Sequence, residues 1–164
     1  FKQVDVGAGY AFWAPSGQVP DARPPLPPGN AADLGKGFWS HMLTLGATWH
    51  VDSGKTWALS ALQRYELHHE NDAGIRTGDS YTVEFAASHT LAKVWDVGIS
   101  GYYQQQVSET DGQSGLPSTV ALGPEVALAI PKSMTFLSLR WLHELASHDR
   151  PEGDTITLTV TKRF

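Results

Sequence analysis

Residues 154–164, DTITLTVTKRF, alternate for their whole length. Ile156, Leu158, Val160 and Phe164 fall on one side, and Thr155, Thr157, Thr159, Thr161 and Arg163 on the other. Period-two alternation of apolar and small polar residues predicts a strand with one apolar face. Seven earlier segments repeat the pattern, over residues 3–13, 38–51, 56–68, 80–91, 94–106, 119–130 and 133–147. Their apolar positions are, for example, Val4, Val6, Ala8, Tyr10 and Phe12 in the first and Leu137, Leu139, Trp141 and Leu145 in the seventh. Eight strands are therefore predicted, the last being residues 154–164.

The connections between them alternate in length. Those after the second, fourth and sixth segments are tight: residues 52–55, 92–93 and 131–132. Those after the first, third, fifth and seventh are longer and polar: residues 15–37, 69–79, 107–118 and 148–153. Short turns on one side and long loops on the other are what an up-and-down membrane barrel shows, and an even strand count puts both ends of the chain on the short-turn side. Aromatic positions sort the same way. Trp49, Trp57 and Trp95 sit beside the short turns, whereas Phe12, Trp39, Tyr65, Tyr81, Tyr103 and Trp141 lie toward the long loops. Trp and Tyr favour the two membrane–water boundaries, so these rows read as interfacial girdles.

Alternation alone does not say which face is inside, because a soluble barrel has the same period with the faces exchanged. The polar face is mostly small: Gly7, Gly9, Thr44, Gly46, Thr48, Ser60, Ala86, Ser88, Gly98, Ser100, Ala121, Gly123, Ala127 and Ser138. A soluble exterior would carry more Lys and Glu; a narrow lumen needs small side chains. The expected fold is therefore all-β, an antiparallel up-and-down transmembrane barrel forming one domain over residues 1–164. Its eight strands either close on themselves or are the C-terminal part of a larger barrel.

Composition agrees and removes other classes. The 12 basic residues stand against 17 acidic ones, which argues against a nucleic-acid partner. No run approaches the ~18 apolar residues of a membrane helix. There is no cysteine, so a disulfide scaffold is excluded.

The charges within the strands are the main candidate site. Arg64, Glu66, Glu84, Glu125, Arg140 and Glu144 all share the small-residue parity. An arginine facing lipid at mid-depth costs ~2–4 kcal/mol, so the shared parity places the six in the lumen. Counted from the short turns, Arg64 and Glu84 stand at similar heights, as do Glu125 and Arg140. Two roles fit: a polar constriction that screens solutes, or an ion-pair network that fills the barrel and holds its register. The second is preferred, because eight strands leave a lumen just filled by side chains.

Other chemistry is weaker. His143 to His148 reads HELASH, one residue too long for a zinc HExxH helix and on a strand. His41, His89 and His143 share the outward parity of the aromatics and read as neutral interfacial packing. His68, His69, Glu70, Asp72 and Asp79 suggest a divalent-cation loop, but a solvated acidic loop is the simpler account. Ser147, His148 and Asp149 hold the residue types of a hydrolase triad, yet such triads assemble in space, not in sequence. His143, Glu144, Ser147 and His148 near one barrel end keep a lipid-modifying enzyme as an alternative. The proline-rich residues 24–29 are expected to stiffen a long loop. No cofactor or metal is expected.

Several stretches together carry a family resemblance: GAGYAFWAPSG (7–17), GKGFWSHMLTLGATWH (35–50), WALSALQRYE (57–66), GPEVALAIP (123–131), FLSLRWLHEL (136–145), DRPEGDT (149–155) and TLTVTKRF (157–164). The chain resembles the outer-membrane proteins associated with the meta pathway of phenol degradation. The resemblance implies an outer-membrane location and passage of small hydrophobic or aromatic solutes. It also implies that the chain covers the C-terminal part of a longer barrel. The terminal Phe164 is similar to the signal read by the barrel-assembly machinery. Lys162 departs from the pattern, which prefers an apolar residue there. Outer-membrane lipids, that machinery and small hydrophobic solutes are the expected partners. An anchoring barrel with a plugged lumen remains the second reading.

Overall fold

The computed structural model describes residues 3–16, 37–71 and 74–163. Eight antiparallel strands follow one another in chain order: β1 (Val4–Trp13), β2 (Ser40–His50), β3 (Trp57–His68), β4 (Ser80–Leu91), β5 (Trp95–Gln106), β6 (Ser118–Ile130), β7 (Thr135–His148) and β8 (Asp154–Lys162). Each pairs only with its neighbours in sequence, the up-and-down order expected. No helix among the described residues is long and apolar enough to cross a membrane, which says nothing about a barrel. Phe164, Asp72 and the prolines of residues 24–29 lie outside the described residues.

The sheet is a curled half-barrel. β1 and β8 are not hydrogen-bonded to each other, so of the two expected architectures the eight strands do not close. Pairing register assigns the faces. The row Gly7–Gly46–Leu62–Glu84–Tyr102–Ala121–Glu144 lies on the concave side, and the next residue of each strand faces out. Every small residue assigned to the polar face is concave. Only three apolar residues, Phe38, Ala121 and Leu142, are buried among those described. Among the described residues, apolar side chains therefore lie mostly at the surface of the sheet.

Local chemistry explains the turns. Ala92 and Lys93 both have positive φ (49° and 64°), which makes a type I′ hairpin turn without the usual Asn-Gly. After β6 the chain makes one 3-10 turn, Pro131–Ser133, and Met134 takes the left-handed conformation. β7 therefore begins at Thr135, two residues later than the alternation suggested.

Two glycines allow close packing across β4–β7. A Cβ on Gly123 would stand 1.8 Å from the Trp141 carbonyl oxygen, and one on Gly101 would meet the Phe85 ring at 2.7 Å. Gly101 faces out, and the Phe85 ring covers it. β6 and β7 also depart from regular pairing. Val120 opposes Ala146 whereas Ala121 opposes Glu144, so Leu145 is an extra, bulged residue. The bulge reverses the parity beyond it and turns Ser147 to the concave side.

Candidate functional site

The concave face holds a cleft of about 590 Å³, floored by Gly7, Gly9, Gly46 and Ala86, with Glu84 and Arg140 among its walls. Its size is within the range of small-molecule sites. Small side chains on β1 and β2 make the room: at Gly7 an added Cβ would meet nothing within 4 Å.

All six predicted charges are concave, and most are paired. Arg64 forms an ion pair with Glu84, diagonally across β3 and β4, since Arg64 opposes Thr82 and Glu84 opposes Leu62. Arg140 opposes Glu125 directly; its Nε donates to Oε2 at 3.1 Å, and its Nη2 stands 3.0 Å from the same oxygen in an ion pair. Glu144 is buried near the long-loop end. Its Oε1 accepts from the Tyr102 hydroxyl at 2.8 Å and from Arg150 at 3.2 Å. Glu66 lies in the same file, between Met42 and Ser80, and makes no ion pair among the described residues. Sequence reasoning missed Tyr102 and Arg150. The parity of Tyr102 with Gly98 and Ser100 would have found the first. Arg150 belongs to an irregular loop and has no parity to read.

The long-loop side is laced together. Asp79, expected in a solvated acidic loop, is instead buried: its carboxylate accepts from the His68 N–H at 3.0 Å, the Arg76 guanidinium at 3.1 Å and the Tyr65 hydroxyl at 3.4 Å. Its own N–H donates to Ser108 Oγ, while the Arg76 N–H donates to Asp111 and Gly78 to Thr110. The burial has a simple cause, because the loop after β3 packs on the loop after β5. His68 is also buried, with Nδ1 2.8 Å from the Ser40 hydroxyl. At the short-turn side, Asp52 accepts from the Trp57 and Thr56 N–H groups and the Thr56 hydroxyl. The backbone donors of Trp57 and Thr56 hold its carboxyl down to about 2.

The convex face carries Trp49, Trp57, Tyr65, Tyr81, Trp95, Tyr103 and Trp141, each in register with outward neighbours, and Trp39, just before β2, packs its ring 6.0 Å from the outward Phe12. The three outward histidines are each engaged. Trp57 stacks on His89 at 4.3 Å, His41 Nδ1 stands 2.6 Å from the Tyr10 hydroxyl, and His143 Nδ1 lies 3.0 Å from Asp154. The Trp141 indole also donates to Asp154. His143 is therefore convex while Ser147 is concave and bonded to Thr119, so the two residues point to opposite sides of the sheet. Within the strands, Asp154 and Lys162, at the two ends of β8, are the charged residues on the convex side. Gln63, the mid-strand amide there, is satisfied by the Tyr81 hydroxyl at 3.0 Å.

The residues so placed make a half-barrel wall, apolar and aromatic outside, small and ion-paired inside. The sequence model of the family described as "Putative MetA-pathway of phenol degradation" matches residues 2–160, and the chain belongs to that family. No curated protein matches it, and no solved structure does.

Proposed function

We propose that this chain is the wall of a bacterial outer-membrane β-barrel that passes small hydrophobic, including aromatic, compounds. The observation that carries the reading is the convex face. Leu43, Leu45, Ile99, Leu139, Ile156 and Leu158 are all exposed there in one continuous apolar surface, with Val6 71% and Ile156 74% accessible. Water would not tolerate a patch of that extent on a monomer. A bilayer would, and strands of 9–14 residues are long enough to cross it. Ion pairs and hydroxyls on the concave side, with charges at the convex side only on the two ends of β8, have the polarity of a membrane barrel and not of a soluble one. Lys162, at one of those ends, reaches the interface by extending its stem.

The family description links the chain to phenol degradation, and a cleft of about 590 Å³ has room for a small aromatic solute. The reading has no catalytic step and needs no cofactor. Its partners are membrane lipid, the assembly machinery and the solute.

The test is the entry of radiolabelled toluene into outer-membrane vesicles with and without the protein. Faster entry with the protein is expected; equal rates refute the reading. The pairing of Arg64, Arg140 and Arg150 favours one alternative, an anchoring barrel stapled shut by its interior charges. On that alternative, neutralising Arg64 would lower stability and leave solute entry unchanged.

A further inference from the structure

Of the seven strand ladders, six are continuous over their paired residues. The β6–β7 ladder is not. Leu122 opposes His143 and Glu125 opposes Arg140, but Gly123 and Pro124 have no ladder partners between them. Proline is the cause. It has no N–H, so the donor that would reach the Trp141 carbonyl is missing, and that carbonyl rests against Gly123 instead. On its other side Pro124 still pairs with Ile99, so the defect lies only toward β7. The Leu145 bulge interrupts the same ladder a few residues further on. Pro124 is also the middle residue of β6 and is exposed on the convex face, which sets the gap at mid-depth of the apolar surface.

What flanks the gap is suited to a solute. On the concave side, Ser100 opposes Gly123, and its hydroxyl is buried without a hydrogen-bond partner. Arg140, paired with Glu125, lines the cleft on that side. On the convex side stands the Trp141 ring, half exposed and tethered through its indole N–H to Asp154 of β8.

We propose that the β6–β7 seam at Gly123–Pro124 is a lateral gate, through which a small uncharged apolar solute leaves the concave side directly into the bilayer. The seam is closed in this structure. At this point one ladder hydrogen bond is already absent, so parting the two strands locally breaks fewer bonds here than along an unbroken stretch of ladder, in a medium that offers freed groups no replacement. A charged solute would not take this route, because its exit lies in hydrocarbon. The inference rests on the passage reading and adds the path to it.

Because the chain has no cysteine, a reversible lock is clean. In L122C/H143C, the directly opposed pair beside the gap, a disulfide would hold β6 to β7. Toluene entry into outer-membrane vesicles would be measured for the unmodified protein, the oxidised variant and the same variant after reduction. Oxidation is expected to cut entry to the rate of vesicles lacking the protein, and reduction to restore it. Pro124→Ala returns the missing donor and should slow entry about fivefold, the factor for one ordinary hydrogen bond of ~1 kcal/mol. Entry that is fast and indifferent to the lock overturns the gate alone. No acceleration by the unmodified protein overturns the passage reading, and the gate with it.

Discussion

Removing Arg140 is the sharpest probe of the interior. In Arg140→Met the chain keeps a similar apolar stem and loses the guanidinium, leaving Glu125 opposite without its hydrogen bond of 3.1 Å from Nε and its ion-pair contact of 3.0 Å with Nη2. Exposed ion pairs are worth ~0–1 kcal/mol, whereas breaking a buried one costs ~3–5. The two side chains here are 34% and 23% accessible, so the cost should lie between, at about 1–2 kcal/mol. Glu125→Gln should cost about the same. The double variant should cost less than the sum, by a coupling of about 1 kcal/mol. The assay is urea titration of refolding into lipid vesicles of the whole barrel that carries this wall, followed by tryptophan fluorescence, with all four proteins in one lipid. A coupling indistinguishable from zero would show that the pair does not hold the wall. A loss above about 4 kcal/mol would show that the site is far drier than its accessibility implies.

Three further outcomes are expected. The Ala92-Lys93 turn holds two side chains at positive φ, so A92N/K93G should stabilise the protein by roughly 1–2 kcal/mol in the same urea titration; no gain would mean that the turn relaxes in the folded protein. Asp52 is depressed from the usual 3.8 to about 2, so its contribution is complete above pH 3.8 and is lost as pH falls toward 2. Asp52→Ala should flatten the acid limb of stability between those values, and an unchanged limb would reject the carboxylate as the anchor of that turn. The free edges of β1 and β8 predict that the eight strands, refolded alone in detergent, give no compact gel band that shifts on boiling, since bare edges are not tolerated in lipid. A shifting band would show that the two edges meet.

Much of this was legible in the sequence because strand parity is a strict rule. One alternation, read eight times, placed Gly7, Thr44, Arg64, Glu84, Glu125 and Arg140 on the side where register puts them. Counting residues from short turns also found both ion pairs. The limits have physical causes. Alternation carries no signal for an inserted residue, so the Leu145 bulge and the reversed side of Ser147 were invisible. Period two also does not distinguish an open sheet from a closed one, because closure depends on whether β1 and β8 approach. Asp79 and Arg150 lie in loops whose partners are set by tertiary packing, so a buried carboxylate was read as solvated. Pro124 was visible in the middle of the sixth segment, and its missing donor had a consequence that the apolar pattern hid.

The strictly sequential strand order also bears on how the protein is made. Folding slows as contacts join residues far apart in the chain. Every ladder here joins consecutive strands, and four of the seven connections, those between β2 and β3, β4 and β5, β6 and β7, and β7 and β8, have six residues or fewer. Hairpins of that kind form in about 1–10 μs, so β2–β3, β4–β5 and β6–β7 can each arise locally and then dock side by side. No stage needs a strand to search past its neighbour.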